Sequence, residues 1–232
     1  MGQNRGQIKA TVRINLADAA ISFWSEDDLN DSFQDAYDDI VCLSQCIIKN
    51  ITLQWTGQLS YYDFKNDFGV TDYLSTVAIF NYATNLWLRD DLNLRDLDRL
   101  RRDWECWIGT PQFWVSSDPK HIAIAPKYGP VPVLGAFNQY AFSNAFFIGS
   151  NSLGNFKLLY WAMAPTLTSD LDSFLTASDV QTMFEFYVTA DMLEQAQEFN
   201  KAQEYWSKYY DSLEEYSERV KVNNKADLLL RV

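Results

Sequence analysis

The side chains with the readiest chemistry are few. The chain has 232 residues but only one histidine, His121, and three cysteines, Cys42, Cys46 and Cys106. A single imidazole excludes multi-histidine metal sites and leaves most histidine-dependent acid–base schemes without a partner. Cys42 and Cys46 are spaced to share one helix face, and with Cys106 and His121 they make four potential zinc ligands. No C-x-x-C knuckle frames them, so small buried hydrophobes is the plainer reading. No G-x-S-x-G elbow, G-x-x-x-x-G-K-[ST] loop, G-x-G-x-x-G turn or EF-hand loop occurs. Carboxylates are plentiful, but Glu26-Asp27-Asp28, Asp38-Asp39 and Asp90-Asp91 fall at expected helix caps and solvated faces. No pair stands out for acid–base hydrolysis. The expectation is therefore no catalytic residue, no cofactor and no metal.

Charge narrows the partners further. Lys and Arg number 19 against 31 Asp and Glu, for a net charge of -12. Such a surface repels phosphate, which disfavours a sequence-reading DNA binder and a protein held on anionic lipid. Arg95, Arg99, Arg101 and Arg102 form a local basic run, but Asp91, Asp96, Asp98 and Asp103 interleave with them. Asp91–Arg95 and Asp98–Arg102 stand at i,i+4, so the spacing predicts a salt-bridged helix surface rather than a phosphate site. The first nine residues are polar with no apolar segment behind them, and no apolar run approaches ~18 residues. Neither a secretory signal nor a membrane span is expected. The odd cysteine count then points to free thiols in a reducing compartment.

The elements that must position these groups read as two kinds. Hydrophobic residues make up 47% of the chain and aromatics 16%, a globular composition. A chain this long buries roughly 70% of its unfolded surface and folds without a metal or disulfide. Residues 1–14 read as an N-terminal arm, with a short helix expected over Asn15–Phe23. Ser25 with Asp28 makes a capping box, and Leu29, Phe33, Ala36, Tyr37, Ile40, Leu43 and Ile47 recur at helical spacing, predicting a helix over 26–49. Period-two alternation from Ile51 to Tyr62 predicts a strand. A strand is also read over Leu74–Leu88, with helix as the competing reading. Asn93 caps a second helix with the stripe Leu94, Leu97, Leu100, Trp104 and Trp107. Strands follow at Phe113–Val115, His121–Ala125, Phe137–Phe142, Ala145–Gly149 and Phe156–Ala164. From Ser178 the helical period returns and runs to Val220, with a turn near Phe199-Asn200 left open.

The fold class expected is α+β: a helical bundle with an inserted, mostly antiparallel β-sheet or sandwich unit and long C-terminal helices. In domain terms this is an arm over 1–14, a single domain over 15–221 and a tail over 222–232. The bundle takes 15–50, 93–108 and 178–221, and the β unit takes 51–88 and 112–165. No strict βαβ alternation and no fixed repeat appears, which disfavours a doubly wound sheet and a solenoid.

Four stretches in this order carry a resemblance. They are Ser25–Ile40 (SEDDLNDSFQDAYDDI), Leu97–Pro126 with Trp107-Ile108-Gly109-Thr110-Pro111-Gln112-Phe113-Trp114 inside it, Lys157–Leu167 (KLLYWAMAPTL), and the Tyr- and Ala-rich helix from Ser178. Together they resemble the head-to-tail connector, or adaptor, proteins of tailed bacteriophages. The resemblance implies a non-enzymatic virion protein at the neck, assembled in the host bacterial cytoplasm. It implies a homo-oligomeric ring of twelve copies between the portal protein and the tail or nozzle proteins, with genomic DNA only as passing cargo. On that reading Asp35, Asp38, Asp39, Glu214, Glu215 and Glu218 line or rim the lumen. Repeated negative charge there would keep the passage from gripping DNA. Leu228, Leu229 and Leu230 would dock on a neighbour or on the portal, against the alternative of a frayed terminus. A glycan- or receptor-binding virion module stacking sugars on the β unit is the rival reading. A histidine-poor carboxylate hydrolase is the third.

Overall fold

The computed structural model describes residues 4–17, 23–54, 61–118, 121–128, 155–172, 174 and 180–230. The expected strands at Phe137–Phe142 and Ala145–Gly149 lie outside them, as does the middle of the 51–62 segment. The chain divides into two compact units, Met1–Ile47 with Ala162–Val232, and Ile48–Trp161. The second is a sequence insertion in the first, and the class is α+β.

The helical unit holds α1 (Arg5–Asn15), α2 (Glu26–Ser44), α5 (Gln181–Gln195) and α6 (Phe199–Leu230). Ser25 caps α2 as expected: its hydroxyl accepts from the Asp28 amide and the Asp28 carboxylate accepts from the Ser25 amide. The acidic first turn suits the positive end of the helix dipole. Most of the predicted apolar stripe is the buried face, with Leu29, Phe33, Ala36, Tyr37 and Ile40 fully covered, but Leu43 is 53% exposed and Ile47 lies beyond the helix end. Phe184 of α5 is the centre of this core, stacking on Phe174 at 4.0 Å and on Phe33 at 6.3 Å, with Tyr37 edge-on at 5.7 Å. Helix α2 stops at Ser44, short of the expected 49. Gln45 takes a left-handed conformation (φ 51°), and the Ile47 carbonyl accepts from the Ala162 amide as the chain leaves for a sheet. The open question at Phe199-Asn200 resolves as a break between α5 and α6. Gln197 sits at φ 62°, and Glu198 N–H reaches back to the Leu193 carbonyl at 2.9 Å, a Schellman-type helix end.

Two readings of this unit are corrected. Residues 1–14 are not a loose arm, because α1 spans Arg5–Asn15 and buries Ile8 and Val12. The short helix expected at Asn15–Phe23 is therefore displaced towards the N-terminus, and it ends where Ala17 turns to φ 55°. At the other end α6 runs unbroken to Leu230, so the backbone of 222–230 is helix rather than tail.

The described residues of the β unit form three sheets. Strands β1 (Ile48–Gln54), β9 (Asn155–Ala162), β3 (Tyr73–Asn81) and β4 (Leu86–Trp87) form one, in the order β1-β9-β3-β4. β1 and β9 pair antiparallel from Ile48↔Trp161 to Gln54↔Asn155. β9 is an inner strand, which explains its near-continuous apolar run Leu158-Leu159-Tyr160. The second sheet is β2 (Tyr61–Asp63), β7 (His121–Ala125) and β6 (Phe113–Asp118), in the order β2-β7-β6 and antiparallel throughout. A two-residue parallel pair joins β5 (Ile108–Gly109) to β8 (Lys127–Tyr128). The segment 74–88 is a hairpin rather than one strand: Asn85 takes φ 58° and Asn81 Oδ1 accepts from the Ala83 amide at 2.9 Å. A short helix, α3 (Phe64–Phe68), follows β2.

The expected helix over 93–108 is shortened and reassigned. Asn93 does cap α4 (Leu94–Leu100) through a capping box with Asp96, but only a 3-10 turn at Trp104–Cys106 follows. A continuous helix would align Leu97, Leu100, Trp104 and Trp107 on one face. Instead the break lets Leu97 and Trp104 join Val115, Ala123 and Ala125 in one cluster, leaving Leu100 63% exposed. This helix belongs to the β unit, not to the bundle.

Candidate assembly surfaces

Net charge is distributed very unevenly. The helical unit contains nine basic and 21 acidic residues, and the β unit contains ten of each. The whole charge of -12 therefore sits on the helical unit. Within it, α2 carries seven acidic side chains and α5 three, with no Lys or Arg on either.

The acidic faces of α2 and α5 border an aromatic cluster. Tyr187 of α5 meets Trp206 and Tyr209 of α6 edge-on at 4.9 and 5.2 Å, and Trp206 stacks near Tyr210 at 6.0 Å. Tyr209 is fully buried and donates its hydroxyl to Asp39 Oδ2 at 2.5 Å. Tyr187 and Trp206 are half-buried and Tyr210 is 57% exposed. Trp206 Nε1 donates to Glu194 at 3.0 Å. Burial, together with the negative fields of Asp39, Asp191 and Asp35, pushes the Tyr187 hydroxyl up to about 12. Burial and the Asp39 hydrogen bond push Tyr209 up as well. Both phenols stay neutral across the physiological range. Burial raises the Asp38 carboxyl and the nearby Asp35 charge raises it further, against a hydrogen bond from Gln34 that lowers it.

The β unit is balanced in charge but carries a local run of arginines. Arg95, Arg99 and Arg102 are exposed along and just beyond α4. The two predicted i,i+4 ion pairs do not form. Asp91 instead bonds Arg89, and Asp98 accepts from Trp104 Nε1 at 2.9 Å. Asp103 takes Arg101 at 2.7 Å, and Asp96 lies 3.7 Å from Arg99. The sequence rule assumes an uninterrupted helix, and the early end of α4 removes that geometry. Arg95 and Arg102 make no ion pair among the described residues.

A third feature fixes the N-terminus. Arg5, Lys9 and Arg13, one turn apart on α1, are buried to 4, 5 and 6% exposure. Arg5 Nε reaches Asp170 at 3.1 Å, Lys9 Nζ bridges Asp170 at 2.7 Å and Glu26 at 2.9 Å, and Arg13 Nη2 reaches Glu26 at 2.6 Å. The Gly6 amide donates to the Asp170 carbonyl at 3.0 Å, an approach so close that a Cβ there would stand 3.3 Å from the Asp170 Cβ. Hydrogen bonds from Lys9 and Arg13 hold the Glu26 carboxyl below its ordinary value, and Lys9 does the same for Asp170. This clasp was missed in the sequence, although Arg5, Lys9 and Arg13 at i,i+4 beside Ile8 and Val12 were a readable signal.

The remaining reactive groups do not converge. Cys42 is exposed on α2, while Cys46 lies beyond the end of that helix and is half-buried, so the two do not share a helix face. Neither they nor exposed Cys106 are the buried hydrophobes expected. Burial, then Asp38 and Asp39, raise the Cys42 thiol, which suppresses its thiolate. His121 Nε2 lies 3.4 Å from Asp63, whose carboxylate caps α3. Among the described residues no group of three or more His, Cys, Asp or Glu is placed to hold a metal ion.

Of the acidic residues expected at a lumen, Asp35 and Asp38 are exposed on α2, and Asp39 is half-buried under Tyr209. Glu214, Glu215 and Glu218 are exposed on α6. Leu228, Leu229 and Leu230 form its last turn, and their side chains lie outside those described. The sugar-stacking alternative placed its aromatics on the β unit. There Tyr61, 38% exposed, packs against Trp104 and donates to Glu105, while a second half-exposed aromatic cluster beside carboxylates lies on the helical unit. No described helix is long and apolar enough to cross a membrane.

The family model described as SU10 adaptor protein matches residues 3–227, nearly the entire chain. No curated protein matches it significantly.

Proposed function

The chain belongs to the SU10 adaptor protein family, phage head-to-tail adaptors, and from this premise we propose that it forms a homo-oligomeric ring joining the portal vertex to the tail. Its role at the head–tail junction is structural. The observation that carries the finer reading is the family match across residues 3–227. The concentration of all net charge on the helical unit supports it, since an acidic helical wall lets DNA pass without the counterion release that makes a basic channel bind.

Of the expected lumen residues, Glu214, Glu215 and Glu218 fit that wall best. They are exposed and make no hydrogen bond or ion pair among the described residues. Asp39 is engaged by Tyr209 and Asp35 borders the aromatic cluster, which suits a different contact. The end of α6 at Leu228–Leu230 docks on the portal, continuing as helix from the buried Leu213 and Tyr216. Tail proteins bind the opposite rim, and the ring sits at the virion neck.

Electron microscopy of the purified chain with the portal protein of the same phage tests this directly. Rings seated on the portal are expected. A chain that stays monomeric and ignores the portal overturns the reading. Deleting 222–232 is expected to weaken portal attachment while circular dichroism still reports a folded chain. Unchanged attachment rejects docking through this segment.

A further inference from the structure

Resting on the ring reading, we propose that the acidic, aromatic face of α2, α5 and α6 in one copy receives Arg95, Arg99 and Arg102 of the next copy. A ring closed by heterologous contacts requires every copy to carry two different, mutually complementary surfaces. The charge division supplies them on one chain: 21 acidic against nine basic residues on the helical unit, and a balanced β unit on which Arg95, Arg99 and Arg102 cluster along and just beyond α4, exposed.

The chemistry matches at the level of groups. Elsewhere the chain lays a cation over an aromatic ring: Arg89 over Phe113, Arg101 over Trp107, Lys208 over Tyr205 and Arg219 over Tyr216. Tyr187, Trp206 and Tyr210 carry none among the described residues, although Asp35, Asp39, Asp191 and Glu194 stand around them. A half-exposed ring beside carboxylates suits a guanidinium, which stacks flat on the ring while its edge binds oxygen in a fork. Arg95 and Arg102 are exposed and unpaired among the described residues, and Arg99 has only Asp96 at 3.7 Å. Leu100, 63% exposed between them, adds an apolar contact. α2 and α5 carry no cation, and on α6 Lys208 lies over Tyr205 while Lys201 pairs with Glu198.

The test uses two full-length variants and the portal protein, read by electron microscopy and mass photometry. R95E/R99E/R102E reverses the arginine surface, and D35K/E194K reverses the acidic one. Each alone is expected to raise the concentration needed for ring formation by about a hundredfold, because like charges then face each other. Mixed in equal amounts they are expected to reassemble, since every contact in an alternating ring again joins opposite charges. D35N/E194Q, a milder change that keeps side-chain size, is expected to weaken assembly about tenfold and to steepen no salt dependence. Reversed variants that assemble singly like wild type overturn the inference while leaving the ring reading intact. So does a mixture that stays apart although both variants are folded by circular dichroism. A wild-type chain that never forms rings, with or without portal, overturns the ring reading and this pairing with it.

Discussion

The two units differ in how they use charge. In the helical unit, cations at the N-terminus are buried and paired, while acidic side chains crowd the exposed faces of α2 and α6. In the β unit, charges balance in number, and Asp91 and Asp103 pair with arginines two residues away, leaving Arg95 and Arg102 without an ion pair among the described residues. Net charge is therefore a regional property here. A chain average of -12 describes neither unit, and the surface that would meet DNA or a neighbouring copy depends on which unit is presented.

The largest test of this contrast lies in the cores. Phe184→Ala removes the ring at the centre of the helical unit, in contact with Phe33, Tyr37 and Phe174. It is expected to lower stability by about 3–5 kcal/mol in urea unfolding followed at 222 nm. A loss under 1 kcal/mol would mean that this unit's aromatic packing is not what holds it.

A smaller effect is expected at the clasp. Asp170→Ala leaves Arg5 without its carboxylate and Lys9 with Glu26 alone. Because Asp170 is itself half-exposed, the cost is discounted to about 2 kcal/mol from that of a fully buried pair. Limited proteolysis within α1 should speed up accordingly. The pH dependence follows from the same pairs. The folded-state carboxyls of Glu26 and Asp170 titrate below their unfolded values. Their contribution is thus complete above the ordinary carboxylate range, near pH 4, and is lost as pH falls through the lower folded values. Wild-type chain is expected to lose protection of α1 on acidification, and Asp170→Ala to show a weaker dependence.

The smallest effect separates two arginines. Arg95→Gln, exposed and unpaired among the described residues, is expected to change monomer stability by less than about 0.5 kcal/mol. Arg5→Gln, buried against Asp170, is expected to lose about 1–2 kcal/mol. Equal effects in thermal unfolding would erase the distinction between the two charge regimes.

Much of this was legible in the sequence because it is local. The Ser25 and Asn93 caps, most of the α2 stripe, strands beginning near Ile51 and Phe156, and the long helices after Ser178 follow from side-chain spacing and capping chemistry. What misled was any inference that extended a local rule past a break. The i,i+4 ion pairs of α4 presumed a helix running past Leu100, where it ends, and the arm expected at 1–14 contains α1, whose cations are buried against Glu26 and Asp170. The candidate surface was half visible: its acids and aromatics could be named, but not their convergence. Residues 187, 194 and 206 are far enough apart in sequence that only the α5–α6 hairpin brings them together.

By itself, the sequence determined the α+β class, the helix caps, the acidic excess and the family signatures, since each depends on residues within a few positions of one another. Tertiary structure alone decided which charges are buried, which arginines remain free and where the net charge resides. Those outcomes depend on desolvation and on contacts between distant segments, and no spacing along the chain encodes either.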